Sequence, residues 1–218
     1  MTCPHCVAAG ELFGHRQAAR DLRRFRKRGP SGSTRRLLDA LSDEAVPGAR
    51  VLDIGAGVGA VHLALLEDGA AHAHHVDASA AYQAVSAEEA DRRNLRDRVT
   101  YVAGDYLDLA GDLPDSDVVC LDRVVCCYPD MPTLVSTSAR AAGRLYGLVF
   151  PADRRWIRAL IGVANLWMTV TRSAFRAYGH TEAGIRRAVE DAGLHQIHRS
   201  RVGIWQILVF RRDAQPSG

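Results

Sequence analysis

The stretch VLDIGAGVGAVHLALL, Val51 to Leu66, constrains this chain more than any other: an apolar strand runs straight into Gly55, Gly57 and Gly59 and then into a helix expected to begin near Val58. Glycine at such positions permits tight turning and lets a ligand approach the backbone closely. From Arg50 onward the same handover repeats. Short β-branched runs at 50–54, 73–77, 98–103, 117–122 and 144–150 alternate with helical patterns at about 58–68, 79–93 and 131–142. That alternation predicts an α/β architecture, a parallel sheet with helices on both faces. After an insertion at about 152–178, TEAGIRRAVEDAGL reads as a helix with Thr181 as N-cap and Gly193 just past its last turn. Two final runs, IHRSRVG and IWQILVFRR, have no helix between them and should close a seven-stranded, mostly parallel sheet with an antiparallel final strand.

Ahead of the sheet, Ala18, Ala19, Leu22 and Phe25 recur at spacings of three and four, and Leu37, Leu38 and Leu41 follow the breaker GPSGS. Two amphipathic helices fit, placed over the carboxyl ends of the strands, where open α/β sheets bind ligands. The expected organisation is an N-terminal helical cap over 1–47, a sheet domain over 48–212 and a disordered tail at 213–218. With 47% hydrophobic residues the chain can bury a core without staples. Its five cysteines, at 3, 6, 120, 126 and 127, make no disulfide framework, and MTCPHCVAAGELFG lacks the basic and apolar regions of a signal peptide. A cytoplasmic protein with reduced thiols is expected. WIRALIGVANLWMTV is interrupted by Arg158 and Asn165 and is shorter than the ~20 residues of a membrane span, so no transmembrane segment is expected. The net charge of +3 is uneven: residues 1–40 hold nine Arg or Lys against Glu11, Asp21 and Asp39. Such a segment suits a solvated helix face, or contact with an anionic partner.

The glycine loop admits two readings. Gly55-x-Gly57-x-x-Ala60 also matches a dinucleotide fingerprint, with Asp77 at the distance of a ribose-binding acid. Two acids favour another ligand. Asp53 stands near the end of a buried strand, where a carboxylate is costly unless it meets a partner such as an ammonium group. Asp105, in VAGDYLDL, follows the third strand and could accept from an adenine amino group. Acids after strands one, two and three beside a glycine loop make a pocket for a cationic amino acid joined to adenosine.

These residues and the order of elements resemble the class I S-adenosylmethionine-dependent methyltransferases, a Rossmann-like fold, over about residues 48–212. The resemblance implies S-adenosyl-L-methionine as cofactor, with Asp53, Gly55, Gly57 and Gly59 at its methionine end, Asp77 on the ribose hydroxyls, and Asp105 with Tyr106 beside the adenine. The N-terminal helices and the segment after the fifth strand are also similar to the magnesium-protoporphyrin O-methyltransferase and quinone-methyltransferase groups.

In that architecture the loop LDRVVCCYPD faces the transferring methyl group, so Cys126 and Cys127 are expected to line the acceptor site or to pack as small apolar wall residues. Tyr178 and Trp167 are further candidates for lining it, and His180, Tyr128 and Cys127 are the candidate catalytic groups. No metal is expected: Cys3 and Cys6 are half of a zinc motif, and His72, His74 and His75 read as solvated residues at the start of a strand. The insertion, apolar with several arginines, reads as a core helix, an apolar lid or a membrane-surface helix. The expected acceptor is a small molecule, hydrophobic or aromatic with anionic character. An RNA or protein methyltransferase is a second reading, with no recognisable RNA-binding module to support it, and a non-methylating cofactor or dinucleotide binder is a third.

Overall fold

The computed structural model describes residues 14–44, 46–171 and 175–213; the Cys3/Cys6 motif and the tail at 214–218 lie outside them. Helix α1 (His15–Arg28) and helix α2 (Gly32–Ser42) precede the sheet. There follow β1 (Arg50–Ile54), α3 (Ala60–Glu67), β2 (His72–Asp77), α4 (Ala80–Arg92), β3 (Val99–Ala103), the single turn α5 (Tyr106–Leu109) and β4 (Ser116–Asp122). The chain continues through α6 (Met131–Arg140), β5 (Ala142–Pro151), α7 (Arg155–Val170), α8 (Glu182–Glu190), β6 (Leu194–Val202) and β7 (Trp205–Arg212).

One seven-stranded sheet results, in the order β3-β2-β1-β4-β5-β7-β6. β1, β2, β3, β4 and β5 pair in parallel, and β7 runs antiparallel between β5 and β6. The final pair is therefore the hairpin expected from two strands without an intervening helix. Because successive strand residues face opposite ways, Val51, Val118, Cys120 and Val149 join one core with α2 and α3, while Leu52, Val119, Leu121 and Leu148 join another with α6 and α8. Both faces are buried, which accounts for the nearly continuous apolar runs in the sequence.

Strand order reverses between β1 and β4, so the loops after these two strands diverge and open a crevice at their carboxyl ends. The N-terminal helices border it. Ser31 caps α2 by accepting from the Thr34 amide, and Leu37 and Leu41 of α2 pack over Gly147 of β5, where a Cβ would stand 2.7 Å from Leu37 Cδ1. The α1 helix is tied to α4 by Arg26, which bonds Glu88 and the buried Glu89 at 2.8 Å each.

Two expectations change. The third helix starts at Ala60 rather than Val58, because Gly59 holds φ +84°, outside helical space. Nor does α7 become a core helix: Ile157 is its one buried residue among the sixteen.

Candidate active site

Site geometry begins with the backbone of the glycine loop. Gly55, Gly57 and Gly59 all adopt positive φ, at 62°, 56° and 84°. A Cβ on Gly55 would lie 2.5 Å from Val124 Cγ2, and one on Gly59 would lie 2.6 Å from Ser86 Oγ. A Cβ on Gly57 would make only ordinary contact, 3.8 Å from the Tyr82 ring; that glycine lines the cleft, and its amide donates to Asp77 Oδ2 at 2.9 Å.

Four acids lie at strand ends, Asp122 in addition to the three singled out in the sequence. Asp53, Asp77, Asp105 and Asp122, from the ends of β1, β2, β3 and β4, border one cleft of about 720 Å³ together with the glycine loop, a volume suited to a small ligand and its co-substrate. Asp77 is held by two amides, Gly57 on Oδ2 and Ser79 on Oδ1, and burial nonetheless raises its pKa. Asp105 caps α5 by accepting from the Leu107 amide and also accepts from the Tyr128 hydroxyl. Tyr106 is buried beneath it, its pKa pushed up to about 12 by desolvation. Asp122 accepts from the Thr34 hydroxyl at 2.6 Å, which fixes the start of α2 to the end of β4.

Asp53 has the most unusual surroundings. Its carboxyl is 1% exposed, and Oδ2 lies 2.9 Å from His62 Nδ1 and 3.3 Å from the His62 amide. Desolvation drives the Asp53 pKa up to about 8 and that of His62 down to about 3, so the pair shares a proton rather than forming an ion pair. Behind it His75 meets the His62 ring edge-on at 5.2 Å and Tyr101 at 4.9 Å. His75 is fully buried, against the expectation of a solvated strand end. Among the described residues no group of three or more His, Cys, Asp or Glu could hold a metal ion.

Past the glycine loop, the cleft is walled by Val124, Cys126, Cys127, Tyr128, Phe175, Ala177 and Trp205. The cysteines ride a 3₁₀ turn (Val125–Cys127), their sulfurs 3.8 Å apart. A thiol hydrogen bond from Cys126 lowers the Cys127 pKa, while that bond and burial raise the Cys126 pKa. Arg123, just before them, takes a left-handed φ of 65° and lies over the Trp205 ring. From the other side come Arg24 and Arg28 of α1 and Arg35 of α2.

Three expected acceptor-site residues are displaced from the cleft. Trp167 is 69% exposed on α7. Tyr178 does not border the cleft; its amide donates to the Cys126 carbonyl and its ring stacks on His180. His180 does not border it either; its Nε2 is engaged with the Tyr128 carbonyl at 3.0 Å, and burial lowers its pKa. The histidine thus pins the cysteine loop to the segment leading into α8. Sequence reasoning passed over His62 and Arg123. Arg123 sits inside the loop singled out for its cysteines, whereas His62 gave no signal, being one polar residue in the apolar helix AVHLALLE.

Residues 51–143 match the family model of a methyltransferase domain. Over those residues the chain carries a methyltransferase domain, set in the fold of the S-adenosylmethionine-dependent methyltransferases. A search against curated proteins gives no match. Among solved structures, magnesium protoporphyrin IX methyltransferase from Synechocystis PCC 6803 with bound S-adenosylmethionine superposes with a TM-score of 0.70 at 21% identity, over 97% of this chain and 99% of that one. An O-methyltransferase family 2 protein from Planctomyces limnophilus in complex with apigenin gives 0.60 at 16% identity, over 83% of this chain and 61% of its own. The [4+2]-cyclase SpnF gives 0.62 at 17% identity, over 83% and 82%. A cyclase among the neighbours shows that the fold alone does not dictate methyl transfer. The cleft fits the cofactor on its own terms: an uncrowded glycine at Gly57 on its lining, a desolvated carboxyl at Asp53 that a cationic group would satisfy, and two further acids along the same wall.

Proposed function

We propose that the protein methylates a small, apolar or aromatic acceptor bearing anionic groups. One observation carries this reading: the cleft that begins at the glycine loop continues into an apolar wall, Cys126, Phe175 and Trp205, rimmed by Arg24, Arg28, Arg35 and Arg123. Among the described residues Arg24, Arg28 and Arg35 have no carboxylate partner within 4 Å, so their charge is available to an anionic molecule lying against the wall. Magnesium protoporphyrin IX and apigenin, named with two of the neighbours, are both flat conjugated molecules.

On this reading Asp53 holds the ammonium group of the cofactor, the glycine loop lets its chain pass close to the backbone, Asp77 takes the ribose hydroxyls, and Asp105 with Tyr106 borders the adenine. The cofactor supplies an already activated sulfonium methyl. The chain's main contribution is then to hold the acceptor in line and to exclude water, worth about 7–11 kcal/mol when orientation is good. His180 and Tyr128 have their polar atoms engaged with the Tyr128 carbonyl and Asp105. Cys127 both borders the cleft and has a lowered pKa, and it is the group we assign to accept a proton from an acceptor that needs one removed.

The test is S-adenosylhomocysteine formation with paired aromatic carboxylates and their neutral amides. Turnover should favour the carboxylates, and Arg24→Ala with Arg28→Ala should raise KM for them with little change for the amides. Equal turnover of both members of each pair would refute the anionic acceptor.

A further inference from the structure

Helix α7 leaves a large apolar face without a partner. Trp156, Leu160, Val163, Trp167 and Val170 recur at spacings of four and three, so they form one stripe along the helix. Their exposures are 52%, 54%, 66%, 69% and 69%, and Leu166 beside them is 65% exposed. Isolated exposed apolar residues need no explanation, but two tryptophans in a continuous stripe do.

The helix is not a loose flap over the cleft. Its inner side is anchored by buried Ile157 and by Asn165, whose Nδ2 donates to the Ala177 carbonyl and whose Oδ1 accepts the Ala177 amide, both at 2.8 Å. Gly179 packs closely on Arg158 and Ile161. Ala177 and Phe175 belong to the cleft wall, so this double bond fixes α7 beside the acceptor space with its stripe turned outward.

Charge selects the occupant. Residues 154–181 contain Arg154, Arg155, Arg158, Arg172 and Arg176 and no Asp or Glu. Arg154 is the N-cap, with no side-chain cap bond, and Arg155 and Arg158 fall in the first turn, where the helix dipole is already positive. Arg158 meets Asp153 at 3.1 Å, whereas Arg154 and Arg155 have no carboxylate within 4 Å among the described residues. Helix-on-helix pairing with a second copy brings no carboxylate: parallel helices would oppose arginine to arginine, and antiparallel ones would set arginines against an acid-free C-terminal turn that offers only its partial dipole charge. An anionic phospholipid surface satisfies both features, burying the stripe at the headgroup boundary with the tryptophans at interfacial depth and the arginines among phosphates.

We infer that α7 is an interfacial helix that docks the protein on anionic lipid bilayers, with the cleft opening next to the membrane surface. This deepens the proposed function, since an apolar acceptor dissolved in the bilayer would reach the cleft wall through the adjoining helix; the docking itself stands independently of the acceptor's identity.

The experiment is co-sedimentation of the full chain with vesicles of phosphatidylcholine alone and of phosphatidylcholine with phosphatidylglycerol, at low and high salt, with tryptophan emission recorded in parallel. Wild type should partition onto the anionic vesicles on the order of tenfold better than onto neutral ones, with a blue-shifted emission and a loss at high salt. Trp156→Glu combined with Trp167→Glu should abolish binding while leaving calorimetric S-adenosylmethionine binding unchanged. Arg154→Glu with Arg155→Glu should abolish the preference for anionic lipid. Failure of wild type to bind, or equal binding by the tryptophan variant, would overturn the inference. So would a wild-type dimer in sedimentation velocity that the tryptophan variant converts to monomer, which would give the stripe to a second copy. Loss of cofactor binding in wild type would refute the methyltransferase reading without touching the vesicle result.

Discussion

Replacing Asp53 with Asn tests how the cofactor end of the cleft is built. Asp53 is 1% exposed and neutral in its pair with His62, because desolvation raises its pKa from 3.8 to about 8. A carboxyl whose folded pKa lies above its unfolded one stabilises the fold fully below pH 3.8 and loses that contribution as pH rises toward 8. At ~1.4 kcal/mol per unit, the deficit reaches on the order of 4 kcal/mol by pH 7. The buried histidines do not confuse the comparison: His62 and His75 have lowered pKa values in the fold and titrate near pH 6.5 when unfolded, a contribution common to wild type and variant that cancels in their difference. Urea unfolding of unliganded protein between pH 6.5 and 8 should therefore show wild type losing stability relative to Asp53→Asn by roughly 2 kcal/mol across the window. Binding should move oppositely. A cationic ammonium beside Asp53 favours the ionised carboxylate, so titration of wild type with S-adenosylmethionine at pH 7 should release most of a proton, read from buffers of different ionisation enthalpy. The Asn variant should release none from this site and bind roughly 10- to 100-fold more weakly, as expected for loss of a charge-assisted hydrogen bond. A stability difference that stays constant from pH 6.5 to 8, with no proton released, would refute the shared-proton account.

Two further substitutions probe the frame around the site. Gly59→Ala forces a side chain into φ +84° and to within 2.6 Å of Ser86 Oγ; the expected loss is about 2 kcal/mol or more in thermal or urea unfolding, with weaker cofactor binding. Glu89 is buried, which by itself would raise its pKa, yet hydrogen bonds from Arg92, Arg26 and Arg93 hold it down to about 2. Its stabilising contribution is present above pH 4.5 and lost as pH falls toward 2. Glu89→Gln should cost about 1–3 kcal/mol at pH 7, the lower end of buried-pair values because the arginines are partly exposed, and should flatten stability between pH 4.5 and 2.

The sheet was legible because the strands are short runs separated by crossovers, most of which carry helical periodicity, and the final hairpin followed from the missing helix between its strands. The acid wall of the cleft was legible for the same reason: Asp53, Asp77 and Asp105 mark strand ends in order, and glycines that need positive φ stand out in any chain. The acceptor side was harder. Trp167 and Tyr178 are aromatic and near the right loop, but which way α7 turns depends on Asn165 gripping Ala177, a contact between residues twelve apart that no periodicity encodes. His180 looked like a base, yet the Tyr128 carbonyl claims its Nε2. His62 was hidden because a histidine on an apolar helix has no local signature; only the packing of α3 back on β1, which brings its Nδ1 to Asp53 Oδ2, shows that it faces a carboxyl.

The most direct measurement of the central claim is calorimetric titration of wild type and Asp77→Ala with S-adenosylmethionine, S-adenosylhomocysteine and NADH. The two adenosyl ligands should bind wild type one to one, at least tenfold more weakly to the variant that lacks the acid held by the Gly57 and Ser79 amides, and NADH should not bind. Binding of NADH without either adenosyl ligand would contradict the assignment of the cleft.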